Sequence, residues 1–575
     1  MYKRNYKTRL ILTSTIFVTI LILLLIRLIN IQLIWHNKMS KRAWAQHNVT
    51  IELSPKRGQI CDRNLKPLAL SLKVDSVYAV SRDVKNKKEV AQRLSKILDK
   101  DAELIYERLS RDKQFVWLQR KVTPEVAGKV AAQGINGIAL IDESKRFYPG
   151  GSLASHVIGF AGVDNVGLEG LELLYNKYLK GAPGEKSIAR DAKGRQLPFL
   201  TKRHIPPVDG CNLILTIDEV IQHIAEEALG KAYEKYNAKA ATVVVIDPKN
   251  GDILALANRP NYNLNNFDVS GSSSRKNIAW CNYFEPGSVF KIVTAAACLE
   301  EKVVSFEDVI FCEQGSWYVR GHTLHDHRPH GDMSFREVIE KSSNIGTVKT
   351  AMLLGEESLY KRIKLFGFGE KTEINLPGEI SGLVRPLSGW SKYSITAIPI
   401  GHEVGATPIQ LACAVSVIAN GGILVKPRII SKIVDSDNHI IMEFTPTVKR
   451  RVISEETADK VTELMEGVIL RGTGKRARIP DYRAGGKTGT ASKTEPSGRY
   501  SKSKYVASFI GFAPVDDPVV AVCVMVDEPH PQYFGGTVAG PVFKEIVNAT
   551  LRYLQIPPGS DKPDKEIILA AKRNS

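Results

Sequence analysis

A serine and a lysine three residues apart, Ser288 and Lys291, stand in the stretch Glu285-Pro286-Gly287-Ser288-Val289-Phe290-Lys291. A hydroxyl becomes an effective nucleophile when a base takes its proton, and a lysine amine can be that base once its surroundings lower its pKa. Behind the pair, Ile292 to Leu299 holds no Gly or Pro and almost no polar atom, which predicts a helix buried on every side. Positions i and i+3 share a helix face, so the amine is expected near the hydroxyl, in apolar surroundings. The competing reading is a solvated serine beside a lysine that reaches out to water. Ser-x-x-Lys alone does not choose between them.

Two further stretches do. Lys341-Ser342-Ser343-Asn344-Ile345-Gly346 follows a helical run from Phe335 to Ile339 and offers a hydroxyl and an amide two residues apart at a turn. Gly485-Gly486-Lys487-Thr488-Gly489-Thr490 begins a strand-like segment in which alternation puts Thr488 and Thr490 on one face and Lys487 on the other. Gly489 carries no side chain to block a substrate backbone lying against that strand. The three sets arrive in the order Ser-x-x-Lys, Ser-x-Asn, Lys-Thr-Gly. A fourth cluster, His322, His325, His327 and His330 with Asp326 and Asp332, has a composition that can hold zinc or nickel, but no helix or strand spacing defines it. A polar loop at the mouth of the site is the expectation, with no metal.

The elements that must position these residues are legible in outline. A boundary falls at Thr201 to Gly210, where Pro206-Pro207 and Asp209-Gly210 interrupt the pattern. Beyond it Asn212 to Thr216 reads as a strand and the segment from Asp218 to Tyr236 as an amphipathic helix. Ala241 to Ile246 and Asp252 to Ala257 flank Asn250-Gly251 as a hairpin, and Tyr505 to Ala513 and Val519 to Val526 pair around Asp516-Asp517-Pro518. An antiparallel sheet drawn from both ends of the domain, with helices between, predicts an α+β layered body. Before the boundary, Val90 to Leu98, Ala102 to Leu109 and Pro124 to Ala132 form a small helical lobe set into an extended platform.

Lys3, Arg4, Lys7 and Arg9 precede an apolar run from Leu10 to Ile26 that continues after Arg27 to Trp35, long enough to cross a bilayer. A cleavable signal peptide is the alternative, but the first Ala-x-Ala, Ala43 to Ala45, lies well past the apolar run, so an uncleaved anchor with the large part exported is expected. The chain of 575 residues has an ordinary globular composition, 43% hydrophobic and 24% charged, and a net charge of +18. The basic residues are dispersed, without zinc-finger spacing or an aromatic RNA-binding signature, which points to an anionic envelope and not to nucleic acid. Seven cysteines in no metal-ligand spacing imply no disulfide framework.

With the three motif sets in place, the chain resembles the class B penicillin-binding proteins, monofunctional D,D-transpeptidases of the bacterial cell wall, over nearly its whole length. Arg57-Gly58 with Asp62-Arg63-Asn64, Arg146-Phe147-Tyr148-Pro149 and Gly167-Leu168-Glu169-Gly170 resemble the pedestal motifs, and Phe284 to Lys291 resembles the nucleophile segment. Cys61, Leu65 and Cys281 depart from the pattern. The resemblance implies a penicillin-binding-protein transpeptidase fold, an antiparallel sheet with helices on both faces plus a helical subdomain, behind an extended pedestal and one transmembrane helix. It implies a cytoplasmic tail over 1–9, an anchor over 10–35, a dimerisation or pedestal domain over 36–205, a transpeptidase domain over 210–555 and a charged tail over 556–575. Ser288 is then the nucleophile, Lys291, Ser342, Asn344 and Lys487 its catalytic partners, and Thr488, Gly489 and Thr490 the substrate-binding strand, with no cofactor. Implied partners are stem pentapeptides on lipid-linked glycan strands, β-lactams as covalent inhibitors, a membrane-embedded SEDS-type glycosyltransferase and other division proteins. Lys341 to Gly346, the Gly498-Arg499-Tyr500 segment and the lack of C-terminal repeats look most like the division-specific septal member, in the inner membrane at the septum. The elongation member and a non-catalytic division scaffold are the alternatives; a β-lactam hydrolase fits poorly with the long pedestal.

Overall fold

The computed structural model describes residues 2–111, 115–190, 196–269, 271–495, 497 and 499–558. Gly498 of the Gly498-Arg499-Tyr500 segment and the charged tail beyond 558 lie outside them. The chain forms two units, one of Met1–Lys56 with Gly181–Asp209 and one of Arg57–Lys180 with Gly210–Ser575.

In the first unit a helix spans Tyr2–Ile29 and continues as a π-helical turn, Asn30–Ile34. The segment Tyr6–Ile34 is long and apolar enough to cross a membrane, and among the described residues nothing covers its apolar side chains. Arg27 and Lys38 both sit over the Trp35 ring, which gathers cations and an aromatic at one end of the span. A helix, His36–His47, leads to an antiparallel sheet of Asn48–Leu53, Gly184–Arg190 and Gln196–Ile205.

The second unit holds both the platform and the site. Its centre is a five-stranded antiparallel sheet in the order Ile253–Arg259, Ala240–Ile246, Val520–Asp527, Tyr500–Ala513, Gly485–Thr494. Period-two alternation along Val520–Asp527 sends Val520, Val522, Val524 and Val526 to one core and Ala521 and Cys523 to the other, so the strand is apolar on both sides. Helices Glu219–Lys235 and Gly535–Tyr553 cover the first face. Helices Lys291–Glu300, Pro408–Ala419 and Glu455–Leu470 cover the second; every residue of Pro408–Ala419 is buried, its two polar side chains, Gln410 and Ser416, being hydrogen-bonded to backbone carbonyls.

The platform is a second sheet in which Ile60–Cys61 pairs in parallel with Asn212–Leu215 and antiparallel with Pro67–Ala79. Its motifs meet in one buried charge cluster. Glu172 accepts from Arg57 Nε and Arg146 Nε, each at 2.6 Å, while Arg57 Nη1 reaches Asn176 Oδ1 at 2.8 Å and Arg146 Nη1 reaches the Gly58 carbonyl at 2.7 Å. The small lobe has the three helices its periodicity predicts, Lys87–Leu98, Ala102–Ser110 and Pro124–Ala132, the last two capped by Asp101 and Thr123.

Candidate active site

The segment Gly287–Phe290 is a turn of 3₁₀-helix running directly into the helix Lys291–Glu300. Three residues per turn brings positions i and i+3 into line, so Ser288 and Lys291 share a face more closely than in an α-helix. Gly287 has φ +58°, which a side chain would strain, and its N–H donates to the Gly401 carbonyl at 3.1 Å. From Lys291 to Leu299 every residue is buried, as the sequence requires.

Burial controls the chemistry of Lys291. It pushes the amine down from 10.5 to about 7, against a smaller opposing pull from the Asp326 carboxylate. Lys291 Nζ lies 2.7 Å from the Ser342 carbonyl, 2.7 Å from Asn344 Oδ1 and 3.2 Å from Ser342 Oγ. The first two can only accept, so a neutral amine spends both hydrogens on them and keeps its lone pair for a hydroxyl. Asn344 is held in turn by Nδ2 donating to the His325 carbonyl at 2.8 Å, which fixes which end of the amide faces the lysine.

Ser342 is the joint of the site. It sits at φ +61°, uncommon for a residue with a side chain, just before the helix Asn344–Leu354. Lys487 Nζ donates to Ser342 Oγ at 3.0 Å, so one hydroxyl lies between two lysine amines. Burial, and then repulsion from Lys291, hold Lys487 well below its ordinary range. Lys487 alternates with Thr488 and Thr490 along its strand as expected, but its long side chain still brings the amine into the same cluster.

The strand Gly485–Thr494 is the edge of the five-stranded sheet, paired on one side only, with Tyr500–Ala513. Its free edge is the kind of surface on which an extended peptide adds as a further strand. Thr490 Oγ1 accepts from the Gly535 N–H at 3.0 Å, leaving its own hydrogen to donate. Thr488 Oγ1 pairs with Thr473 Oγ1 at 2.8 Å. A Cβ at Gly489 would lie 2.3 Å from Ser508 Oγ and 2.8 Å from Val289 Cγ1, so packing of the Ser288 turn against the sheet by itself demands a glycine there.

The histidine cluster resolves into separate duties. His322 packs edge-on to Tyr393 and reaches Thr396 Oγ1 at 3.4 Å, while His327 stacks on Phe534 with ring centroids 5.0 Å apart. Among the described residues the one group of His, Cys, Asp or Glu close enough to share an ion is Asp435, Asp437 and His439, away from this loop. Asp326 has a role the sequence did not disclose. Its carboxylate accepts from Ser343 Oγ at 2.6 Å, from Ile345 N at 3.1 Å and, at closer range, from Asn344 N, so it caps the helix that carries Asn344. Glu285 was visible only as a neighbour of the nucleophile. It accepts from His402 Nδ1 at 2.8 Å, Glu403 N at 2.9 Å and Tyr500 OH at 3.2 Å, tying the Ser288 turn to the segment of His402 and Glu403 and to the start of the strand Tyr500–Ala513. These contacts outweigh burial and leave its carboxyl below the usual range. All seven cysteines are free.

Comparison with known proteins gives the family. The model of the penicillin binding protein transpeptidase domain matches residues 241–548, and that of the penicillin-binding protein dimerisation domain matches 52–215. Stage V sporulation protein D of Bacillus subtilis is 36% identical over 97% of this chain and 88% of its own length. The peptidoglycan D,D-transpeptidase FtsI of Escherichia coli is 32% identical over 88% of this chain and 85% of its own. Among solved structures, penicillin binding protein 3 of Mycobacterium tuberculosis complexed with aztreonam superposes with a TM-score of 0.71 at 30% identity, covering 88% of this chain and 98% of that one. Penicillin binding protein 2X of Streptococcus thermophilus, at 22% identity over 88% of this chain and 80% of that one, shares the fold with a TM-score of 0.74. A transpeptidase domain matched over more than half of the chain, preceded by a dimerisation domain and carrying a lysine-flanked serine at its centre, makes this protein a member of the class B penicillin-binding proteins.

Proposed function

We propose that the chain crosslinks peptidoglycan during septation through an acyl-enzyme on Ser288, and that penicillin acylates the same serine. The observation that carries this is the convergence of Lys291 and Lys487 on Ser342 Oγ, with Asn344 holding Lys291 in place. Ser288 Oγ attacks the carbonyl of the penultimate D-Ala of a pentapeptide stem and its proton passes to neutral Lys291. The tetrahedral oxyanion is held by the backbone N–H groups of Ser288 and Thr490, following the family's pattern. As the C–N bond breaks, Ser342 delivers a proton to the departing D-Ala amine and is reprotonated from the lysine pair. An amine of a neighbouring stem attacks the ester, gives up a proton to the same relay, and restores Ser288 as the new amide forms. The Thr490 hydroxyl, with its hydrogen free, and Thr488 hold the substrate carboxylate, and Lys487 contributes positive potential.

The membrane-length helix at Tyr6–Ile34 supports a single-pass anchor in the inner membrane with the transpeptidase domain outside, fed by a SEDS-type glycosyltransferase and held at the septum by other division proteins. The domain layout proposed with it is a pedestal over 36–205 carrying a transpeptidase over 210–555. Labelled penicillin tests the chemistry: a long-lived adduct on Ser288, absent from Ser288→Ala, supports the transpeptidase, and rapid hydrolytic turnover refutes it. Depletion tests the setting. Filaments support septation, round cells point to elongation, and septation sustained by Ser288→Ala would leave only a scaffold. The match to stage V sporulation protein D favours a second setting for the same chemistry, spore formation, which unimpaired division on depletion would select.

A further inference from the structure

Helix Ala102–Ser110 and strand Val116–Val122 enclose an open cleft of about 500 Å³ in the small lobe. One wall is aromatic. Phe115, 42% exposed, stacks on Tyr78 with centroids 4.8 Å apart and meets Trp117 edge-on at 4.7 Å, and the Arg120 guanidinium lies 5.2 Å over the Trp117 ring. The other wall is cationic. Arg120 is neutralised by Glu143 and Asp164 and Arg111 by Glu107, but among the described residues neither Lys100 nor Arg108 has a carboxylate partner. Lys100 is close enough to Arg108 to feel its charge. Gln119 Oε1, also at the cleft, is buried without a hydrogen-bond partner. Two cations and one buried acceptor without partners among the described residues, together with open ring edges, match a ligand with carboxylates, apolar ring faces and hydroxyl donors.

An added peptide strand is the obvious competitor, since Val116–Val122 is the edge of its sheet. Arg108 closes that edge. Its Nη1 occupies the Leu118 carbonyl at 2.8 Å and the Trp117 carbonyl at 3.3 Å, acceptors that an incoming strand would compete for. We propose that this cleft binds an anionic saccharide, namely glycan strands whose stem peptides carry carboxylates, at a site separate from the acyl-transfer centre. Sugar faces pack against the open edges of Phe115 and Trp117, hydroxyls reach Gln119, and stem carboxylates meet Lys100 and Arg108. The inference rests on the reading of the chain as a peptidoglycan transpeptidase.

The test uses the full chain in detergent with Ser288→Ala silencing acyl transfer, and measures binding of stem-bearing glycan strands released from sacculi by an endopeptidase. Trp117→Ala and Lys100→Glu should each weaken binding about tenfold, the second with loss of salt dependence, and strands stripped of stems should bind Lys100→Glu and its parent alike. Unchanged affinity in both variants overturns the proposal, as does poly-glutamate binding as tightly as the strands, which would assign the cleft to an acidic protein segment. Labelled penicillin on the same variants with Ser288 restored separates the two levels. Normal acylation with unaffected strand binding removes the cleft alone, whereas a parent that penicillin never acylates removes the transpeptidase reading beneath it.

Discussion

If Lys291 takes the Ser288 proton, the acylation rate must follow the neutral fraction of that amine. At its ordinary value of 10.5, a lysine at pH 7 is about one part in 3,000 free base; held at about 7, it is about half free base. The fully buried helix Lys291–Glu300 therefore raises the population of competent base roughly 1,500-fold, at a cost of about 5 kcal/mol between the charged and neutral forms. Stopped-flow acylation by a fluorescent penicillin should be level above pH 8, half-maximal near pH 7, and about 100-fold below the plateau at pH 5. Lys291→Arg keeps the charge but holds its proton throughout, so it should lose on the order of 10² to 10⁴ in rate and the inflection with it. Stability moves in the same direction. Below about pH 7 the folded protein must keep a buried ammonium, and as pH rises toward 10.5 the unfolded chain binds the extra proton, so folding strengthens over that window. A rate at pH 5 within threefold of that at pH 8, in a protein still folded, would refute the assignment of Lys291 as base.

Three further outcomes follow from the packing around the site. Gly489→Ala places a methyl inside contact distance of Ser508 Oγ and Val289 Cγ1, and should destabilise by about 1–3 kcal/mol and slow acylation, with Gly489→Ala/Ser508→Ala recovering only part of the loss because Val289 remains; thermal melts and penicillin labelling read both. Asp326→Ala strips acceptors from Ser343, Asn344 and Ile345, and should cost about 1–3 kcal/mol while slowing acylation more than a surface control, since Asn344 no longer fixes Lys291. Glu172→Ala leaves Arg57 and Arg146 buried without their shared carboxylate, and should cost about 3–5 kcal/mol in denaturant unfolding, enough to empty the folded state of a marginal protein.

The parts of this fold that show in the sequence are those with a local signature. The hairpin around Asn250-Gly251, the strands Tyr500–Ala513 and Val520–Asp527 and the buried helix behind Ser288 follow from periodicity and turn chemistry, and the structure moves their ends by a few residues only. Asn212–Leu215 reads correctly as a strand, yet its partners could not be read. It joins the platform sheet, because pairing with Ile60–Cys61 depends on contacts 150 residues away. The same limit applied within the site. Ser288, Lys291, Ser342, Asn344 and Lys487 carry spacing, whereas Asp326 sat among histidines that suggested a metal, and Glu285 looked like part of the nucleophile segment. Each acts through long-range hydrogen bonds to backbone N–H groups, which leave no pattern in a chain.

The two lysines make sense together as carriers of one proton. Lys291 Nζ and Lys487 Nζ lie at 3.2 and 3.0 Å from the same Ser342 Oγ, and two ammonium groups so placed, both buried, would repel strongly. Of the two, Lys291 feels the Asp326 carboxylate while Lys487, beyond its burial, feels its neighbour's charge, so on the proposed mechanism a proton arriving from Ser288 is better held on Lys291. The hydroxyl between them can accept from one amine as it donates to the other. That gives the site a way to move a proton from the side where the nucleophile loses it to the side where the leaving amine needs it, without a second buried charge. The strained φ of Ser342 is then the cost of putting a single hydroxyl within reach of both amines, and Asp326, by capping the next turn, is what keeps it there.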